Sequence, residues 1–185
     1  MRIAVSGAHR TGKTTLVEEL RRALPTYESA DEPYRQLEEE GHEFAEMPSL
    51  EDFELQLERS IDCVACGKQD QLFDRCPADI LAYLVTHRDR DGFELEYWLP
   101  RARSAMQRLD LVVFVPVESP DRIVGATARE DRLRGRVDEE LRGILLEDRW
   151  DFPVEVLEVG GTTRERADQV LARINGDGTS RIRRR

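Results

Sequence analysis

The chain is poor in cysteine and aromatics, carries no net positive charge and has no long apolar run. Three cysteines in 185 residues, an odd count, give no disulfide framework and fit a reducing compartment. No apolar stretch approaches the length that crosses a bilayer, and the N-terminus runs straight into strand-like sequence with no secretory signal, so a cytoplasmic protein is expected. The formal net charge of -10 disfavours a broad, sequence-independent contact with nucleic-acid phosphates, while leaving room for a small anion held locally.

What the chain does have is a glycine-rich segment close to its start. Gly7-Ala8-His9-Arg10-Thr11-Gly12-Lys13-Thr14 fits G-x-x-x-x-G-K-[ST] and is followed by Thr15. The glycines let backbone N–H groups turn toward phosphate oxygens, Lys13 reaches the β- and γ-phosphates, and the Thr14 hydroxyl suits Mg²⁺. Residues between the glycines, His9 among them, contribute mainly backbone. The context agrees: Arg2 to Ser6 reads as a short buried strand, and Leu16, Leu20, Ala23 and Leu24 recur at helical spacing behind the loop. A bound nucleoside triphosphate, ATP or GTP, with Mg²⁺ follows from this loop.

Further elements are expected in alternation. Strands are read at Thr26 to Ala30, Gln69 to Phe73, Leu111 to Val115 and Val154 to Val159. Helices are read from Ser49 to Gly67, from Pro77, from Glu94 to Leu109 and around Ala167 to Ile174, while the stretch before Pro48 reads as charged and irregular. Pro100 should kink or split its helix. Five strands alternating with helices imply a three-layer α/β fold, a five-stranded parallel sheet covered on both faces. Ligands then bind at the carboxyl ends of the strands, a rim expected to hold the phosphate loop, Glu32, Asp74-Arg75, Pro116 to Ser119 and Gly160-Gly161. Residues 1–175 form one domain on this reading, and 176–185, Gly-rich and then basic, a flexible solvated tail.

Several side chains are candidates for chemistry. Asp74, at a strand end, can reach the Mg²⁺ shell or cap the Pro77 helix. Glu32, just after the second strand, can accept a proton from an acceptor hydroxyl or serve only as surface charge. Arg129, Arg132, Arg134 and Arg136, interleaved with acids ahead of an amphipathic helix, read as a lid that supplies charge or as a solvated helix laced with ion pairs. Tyr34, Phe44, Phe53, Tyr83 and Trp98 could stack on a planar acceptor or pack in the core. Cys63 and Cys66 fall inside an amphipathic helix, where packing outweighs a zinc or redox role.

The phosphate loop, Glu32-Pro33, the run Asp74-Arg75-Cys76-Pro77-Ala78-Asp79 to Tyr83, the arginine-rich segment and Val156 to Gly161 together resemble P-loop kinases of the nucleoside-kinase branch. In particular they resemble small bacterial AAA-type ATP-binding domains similar to ribosylnicotinamide kinase and, more distantly, deoxynucleoside kinases. The resemblance implies Glu32 as base, Asp74 near Mg²⁺ and Arg75 on phosphate or acceptor, with Arg132, Arg134 and Arg136 as lid cations. It also implies that Gly160, Gly161 and Thr162 lie beside the nucleotide base. The activity implied is γ-phosphoryl transfer from ATP to a nucleoside or similar small hydroxyl acceptor. A nucleotide-binding regulatory ATPase acting through a protein partner is the alternative. The third strand ends in Asp-Arg-Cys where deoxynucleoside kinases have Glu-Arg-Ser, so the acceptor stays open, as does the oligomeric state, a homodimer included.

Overall fold

The computed structural model describes residues 1–45, 48–118, 127–176 and 182–183. Strand β1 (Arg2–Ser6) leads through the phosphate loop into α1 (Lys13–Ala23), and β2 (Glu28–Ala30) leads into α2 (Pro33–Glu39) and α3 (Leu50–Cys66). After β3 (Gln71–Asp74) come α4 (Pro77–Thr86) and α5 (Leu95–Met106), and β4 (Leu111–Phe114) precedes α6 (Ala128–Leu145). Strand β5 (Val156–Glu158), α7 (Thr163–Ile174) and β6 (Ile182–Arg183) complete the order.

The sheet runs β2-β3-β1-β4-β5-β6. The first five strands pair in parallel, in the register Val5 beside Asp74 and Val113. Alternation along β1 shows how the layers form. Ile3 and Val5 pack with Leu16 and Leu20 of α1 and Val170 of α7, whereas Ala4 faces Leu57, Leu81 and Leu141 of α3, α4 and α6. Both faces are therefore buried, as parallel strands require. The chain leaves β1 toward one face and β3 toward the other, which opens a crevice between their carboxyl ends.

The differences from the sequence reading have local causes. Helix α2 was expected to be irregular: it is seven residues long and buries only Pro33 and Leu37, too few positions to show a period. Helix α5 is not split at Pro100, because the carbonyl deprived of a donor belongs to Glu96, near the helix start, and both residues are exposed to water. The arginine-rich segment, read as lying ahead of an amphipathic helix, is itself the first half of α6, opened by a capping box between Thr127 and Glu130. Within the expected tail, Ile182–Arg183 pairs antiparallel with β5. The expected rim residue Ser119, and residues 177–181 and 184–185 of that tail, lie outside the described residues. No helix among the described residues is long and apolar enough to cross a membrane.

Candidate functional site

The phosphate loop is held from both ends by its own side chains and by buried charges. Gly12, with φ 88°, caps α1 without any side-chain cap, leaving the helix's first N–H groups open for an anion. The Ala8 carbonyl accepts from Thr11 Oγ1 at 3.0 Å and from Lys13 Nζ at 2.7 Å. Burial first, then the neighbouring Arg75 charge, pushes the Lys13 ammonium down to a pKa of about 7. A Cβ on Gly7 would overlap the Val115 carbonyl oxygen, so only glycine fits where β1 enters the loop.

Two residues of α4 reach the loop. Gly7 N–H donates to the fully buried Asp79 Oδ1 at 2.8 Å, and the other Asp79 oxygen accepts from Cys76 N–H at 2.9 Å. His9 N–H donates to the Tyr83 hydroxyl at 2.9 Å, with His9 Nδ1 3.0 Å from the same oxygen. Burial and the Arg75, Lys13, Arg134 and Arg10 charges lower the His9 pKa to about 4, so the ring is neutral at physiological pH.

The end of β3 supplies the opposite wall. Thr14 Oγ1 donates to Asp74 Oδ2 at 2.7 Å, while Asp74 Oδ1 is buried with no hydrogen-bond partner among the described residues. Burial raises the Asp74 pKa. Arg75 holds φ at 82°, a strained conformation for a side chain of its size, with its N–H bonded to the Val5 carbonyl at 3.0 Å. Its Nε donates to Glu32 Oε2 at 2.9 Å, its Nη1 lies 3.4 Å from the Gly7 carbonyl, and its guanidinium faces the Tyr83 ring. Burial would raise the Glu32 pKa, but the charge and hydrogen bond of Arg75 outweigh it and keep Glu32 ionised. A groove of about 320 Å³ opens from Thr14 and Asp74 past Asp31 and Arg35.

The expected lid arginines have different surroundings. Arg134 is buried on α6, close enough for its charge to act on His9, whereas Arg132 is exposed and Arg136 donates to the Thr86 carbonyl at the end of α4. Arg10 meets Glu130, in the first turn of α6, at 3.7 Å, which sets that turn beside the phosphate loop. Thr162 caps α7 through Glu165. Gly161 N–H donates to Glu118 Oε1 at 2.6 Å, and that oxygen is 3.0 Å from Arg166. Among the aromatics, Trp98 is in the core with its indole N–H on Glu54, Phe53 stacks on Tyr83 at 5.4 Å, and Tyr34 stacks on Phe44 at 4.3 Å. Cys63 is half-buried and Cys66 exposed on α3.

Asp79 and Arg166 were not singled out by sequence reasoning. Asp79 had a signal, standing three residues after Cys76 as a capping-box acid does. Arg166 had none, since its partner Thr11 is 155 residues away.

A family model described as an AAA domain matches residues 2–166. No curated protein matches the sequence. Among solved structures, deoxyadenosine kinase from M. mycoides with bound dATP is 16% identical with TM-score 0.62, over 95% of this chain and 100% of that one. The NadR protein in complex with NAD and AMP-PNP is 21% identical with TM-score 0.64, over 98% of this chain and 51% of that one. Thymidylate kinase from Candida albicans is 16% identical with TM-score 0.59, over 95% of this chain and 92% of that one. The fold is that of the P-loop nucleoside and nucleotide kinases.

Proposed function

This chain belongs to the AAA domain family, and we propose that it is an ATP-dependent phosphotransferase acting on a hydroxyl of a nucleoside or similar small acceptor. One observation carries the reading. Glu32 is bonded to Arg75, whose guanidinium also reaches the Gly7 carbonyl of the phosphate loop and keeps the Glu32 carboxylate ionised. A carboxylate so placed can orient an attacking hydroxyl and take its proton. The likeness to structures named as deoxyadenosine and thymidylate kinases supports the same reading.

Asp74 and Thr14 fit a divalent cation: one carboxylate oxygen is buried without a partner among the described residues beside a hydroxyl, and burial first, then the Glu32 charge, opposes its ionisation. Mg²⁺ held there would neutralise charge on the β- and γ-phosphates. The residues of the chain do the rest by positioning. Loop N–H groups and Lys13 orient the triphosphate, and Arg75 and the buried Arg134 add positive charge around the transferring group. Glu32 orients the acceptor hydroxyl and receives its proton as the new P–O bond forms and the bond to the β,γ-bridging oxygen breaks, releasing ADP. Gly160 and Gly161 lie beside the nucleotide base on this reading, and Arg132 and Arg136 on α6 move with any lid. The free cysteines support a cytoplasmic setting.

The test is release of ADP from Mg–ATP and of GDP from Mg–GTP by the purified protein, alone and with nucleosides, ribosylnicotinamide and nucleoside monophosphates. Stimulation by one acceptor, with its phosphorylated product seen by mass, is the expected result. Slow hydrolysis indifferent to every acceptor would overturn it in favour of a regulatory ATPase that acts through a protein partner.

A further inference from the structure

A buried cation on the far side of the phosphate loop takes no part in the mechanism above. Arg166, 8% exposed on α7, donates from Nη1 to the Thr11 carbonyl at 2.7 Å, and its Nη2 lies 3.0 Å from Glu118 Oε1. Its Nε is buried with no hydrogen-bond partner among the described residues. The guanidinium lies against the loop's end, where a Cβ on Gly12 would stand 3.3 Å from Nη1. Glu118 Oε1 also accepts from Gly161 N–H, so this one cation ties together the loops that follow β1, β4 and β5.

The bond to Thr11 has a directional consequence. The Thr11 carbonyl and the Gly12 N–H belong to one planar trans peptide and point in opposite directions. Holding the carbonyl outward on Arg166 therefore aims the Gly12 N–H inward, into the cradle. Glycine at φ 88° has no side chain to select that orientation, and a free Thr11–Gly12 peptide could flip at little steric cost.

We propose that Arg166 is a positioning residue for triphosphate binding. It fixes the Thr11–Gly12 peptide so that the loop is pre-organised for phosphate, and through Glu118 it holds the turn at Gly161 in register with the loop. The assignment rests on the reading of that loop as a triphosphate site. Arg166 acts through the loop and not as a phosphate ligand, because its Nη1 and Nη2 are directed at the Thr11 carbonyl and Glu118.

The test is the affinity of a fluorescent ATP analogue with Mg²⁺ for the native chain, Arg166→Met, Arg166→Lys and Glu118→Gln, each checked for native circular dichroism at the assay temperature. Losing a charge-assisted hydrogen bond that orders the site should weaken binding about tenfold to a hundredfold in Arg166→Met. Arg166→Lys keeps the charge but not the fork that spans both partners, so it should fall between Arg166→Met and native. Glu118→Gln keeps the bond to Thr11 and should lose less than Arg166→Met. In steady state the loss should appear in the KM for ATP with kcat and the acceptor KM largely retained, a split that general loosening of the fold would not produce. If Arg166→Met fails to fold, Arg166→Lys carries the test. Folded variants that bind as tightly as the native chain would overturn this assignment alone. A native chain that binds no nucleoside triphosphate would overturn the reading of the loop and this assignment with it.

Discussion

Nucleotide binding at the phosphate loop is expected to be coupled to protonation of Lys13. Burial brings its ammonium to a pKa of about 7, and in the free chain it is bonded to the Ala8 carbonyl. At pH 8 about nine-tenths of free molecules then carry a neutral Lys13, and at pH 6 about one-tenth do. A triphosphate beside Nζ favours the ammonium, so binding Mg–ATP should take up about 0.9 proton at pH 8 and about 0.1 at pH 6, with affinity falling about tenfold between them. His9, at about 4, is neutral throughout this range and adds nothing. Isothermal titration in buffers of different ionisation enthalpy gives the proton count directly, as the slope of observed heat against buffer heat. Lys13 and Lys68 are the only lysines, so ¹³C-lysine NMR should show two Cε signals, one of them titrating near 7 until nucleotide is added. The stability sign follows from the same shift. The folded pKa lies below the unfolded value, so the unfolded chain binds more protons between about 7 and 10.5, and the free protein should gain stability as pH rises through that window, by up to about 1.4 kcal/mol per unit. Proton uptake near zero at pH 8, or a Lys13 signal that stays in its charged position to pH 9, would refute the reasoning.

Other perturbations address the remaining contacts. Gly7→Ala drives a methyl into the Val115 carbonyl, backbone that must shift to admit it; we expect a loss of about 1–3 kcal/mol in urea denaturation and weakened ATP binding. Asp79→Ala leaves the Gly7 and Cys76 N–H groups buried without their acceptor and should cost about 3 kcal/mol or more, whereas Asp79→Asn retains one acceptor oxygen and should lose less, read as shifts in the thermal midpoint. Glu32→Gln should slow phosphoryl transfer about 10²- to 10⁴-fold while leaving the affinity for the fluorescent ATP analogue as in the native chain. An equal loss in both measurements would mean that Glu32 supports the phosphate loop through Arg75 and takes no proton.

How far the sequence reveals this site depends on whether an interaction is local along the chain. The phosphate loop was legible because its chemistry lies in eight consecutive residues between a strand and a helix, and the alternation of strands and helices was legible because each period spans several buried positions. Asp74 and Thr14 could be named separately, and their contact at 2.7 Å follows from the parallel pairing of β1 with β3, which brings the two strand ends together. Composition did worse where one residue type serves several ends. Arg134 and Arg136 are two residues apart on a helix and so point in different directions, the first inward beside the phosphate loop and the second to the end of α4. Arginine content alone could not separate them. Arg166 marks the limit of the method. In sequence it is one more arginine in an acid- and arginine-rich helix, and its place against Thr11 exists only because α1 and α7 pack on the same face of the sheet. Thr11 and Lys13 brace the phosphate loop from within, but the other side chains that hold it in shape, Asp79, Tyr83 and Arg166, lie outside the motif that announces it. A substrate-binding motif therefore records where contact is made, and the residues that fix its geometry are found only once the helices around it have been placed.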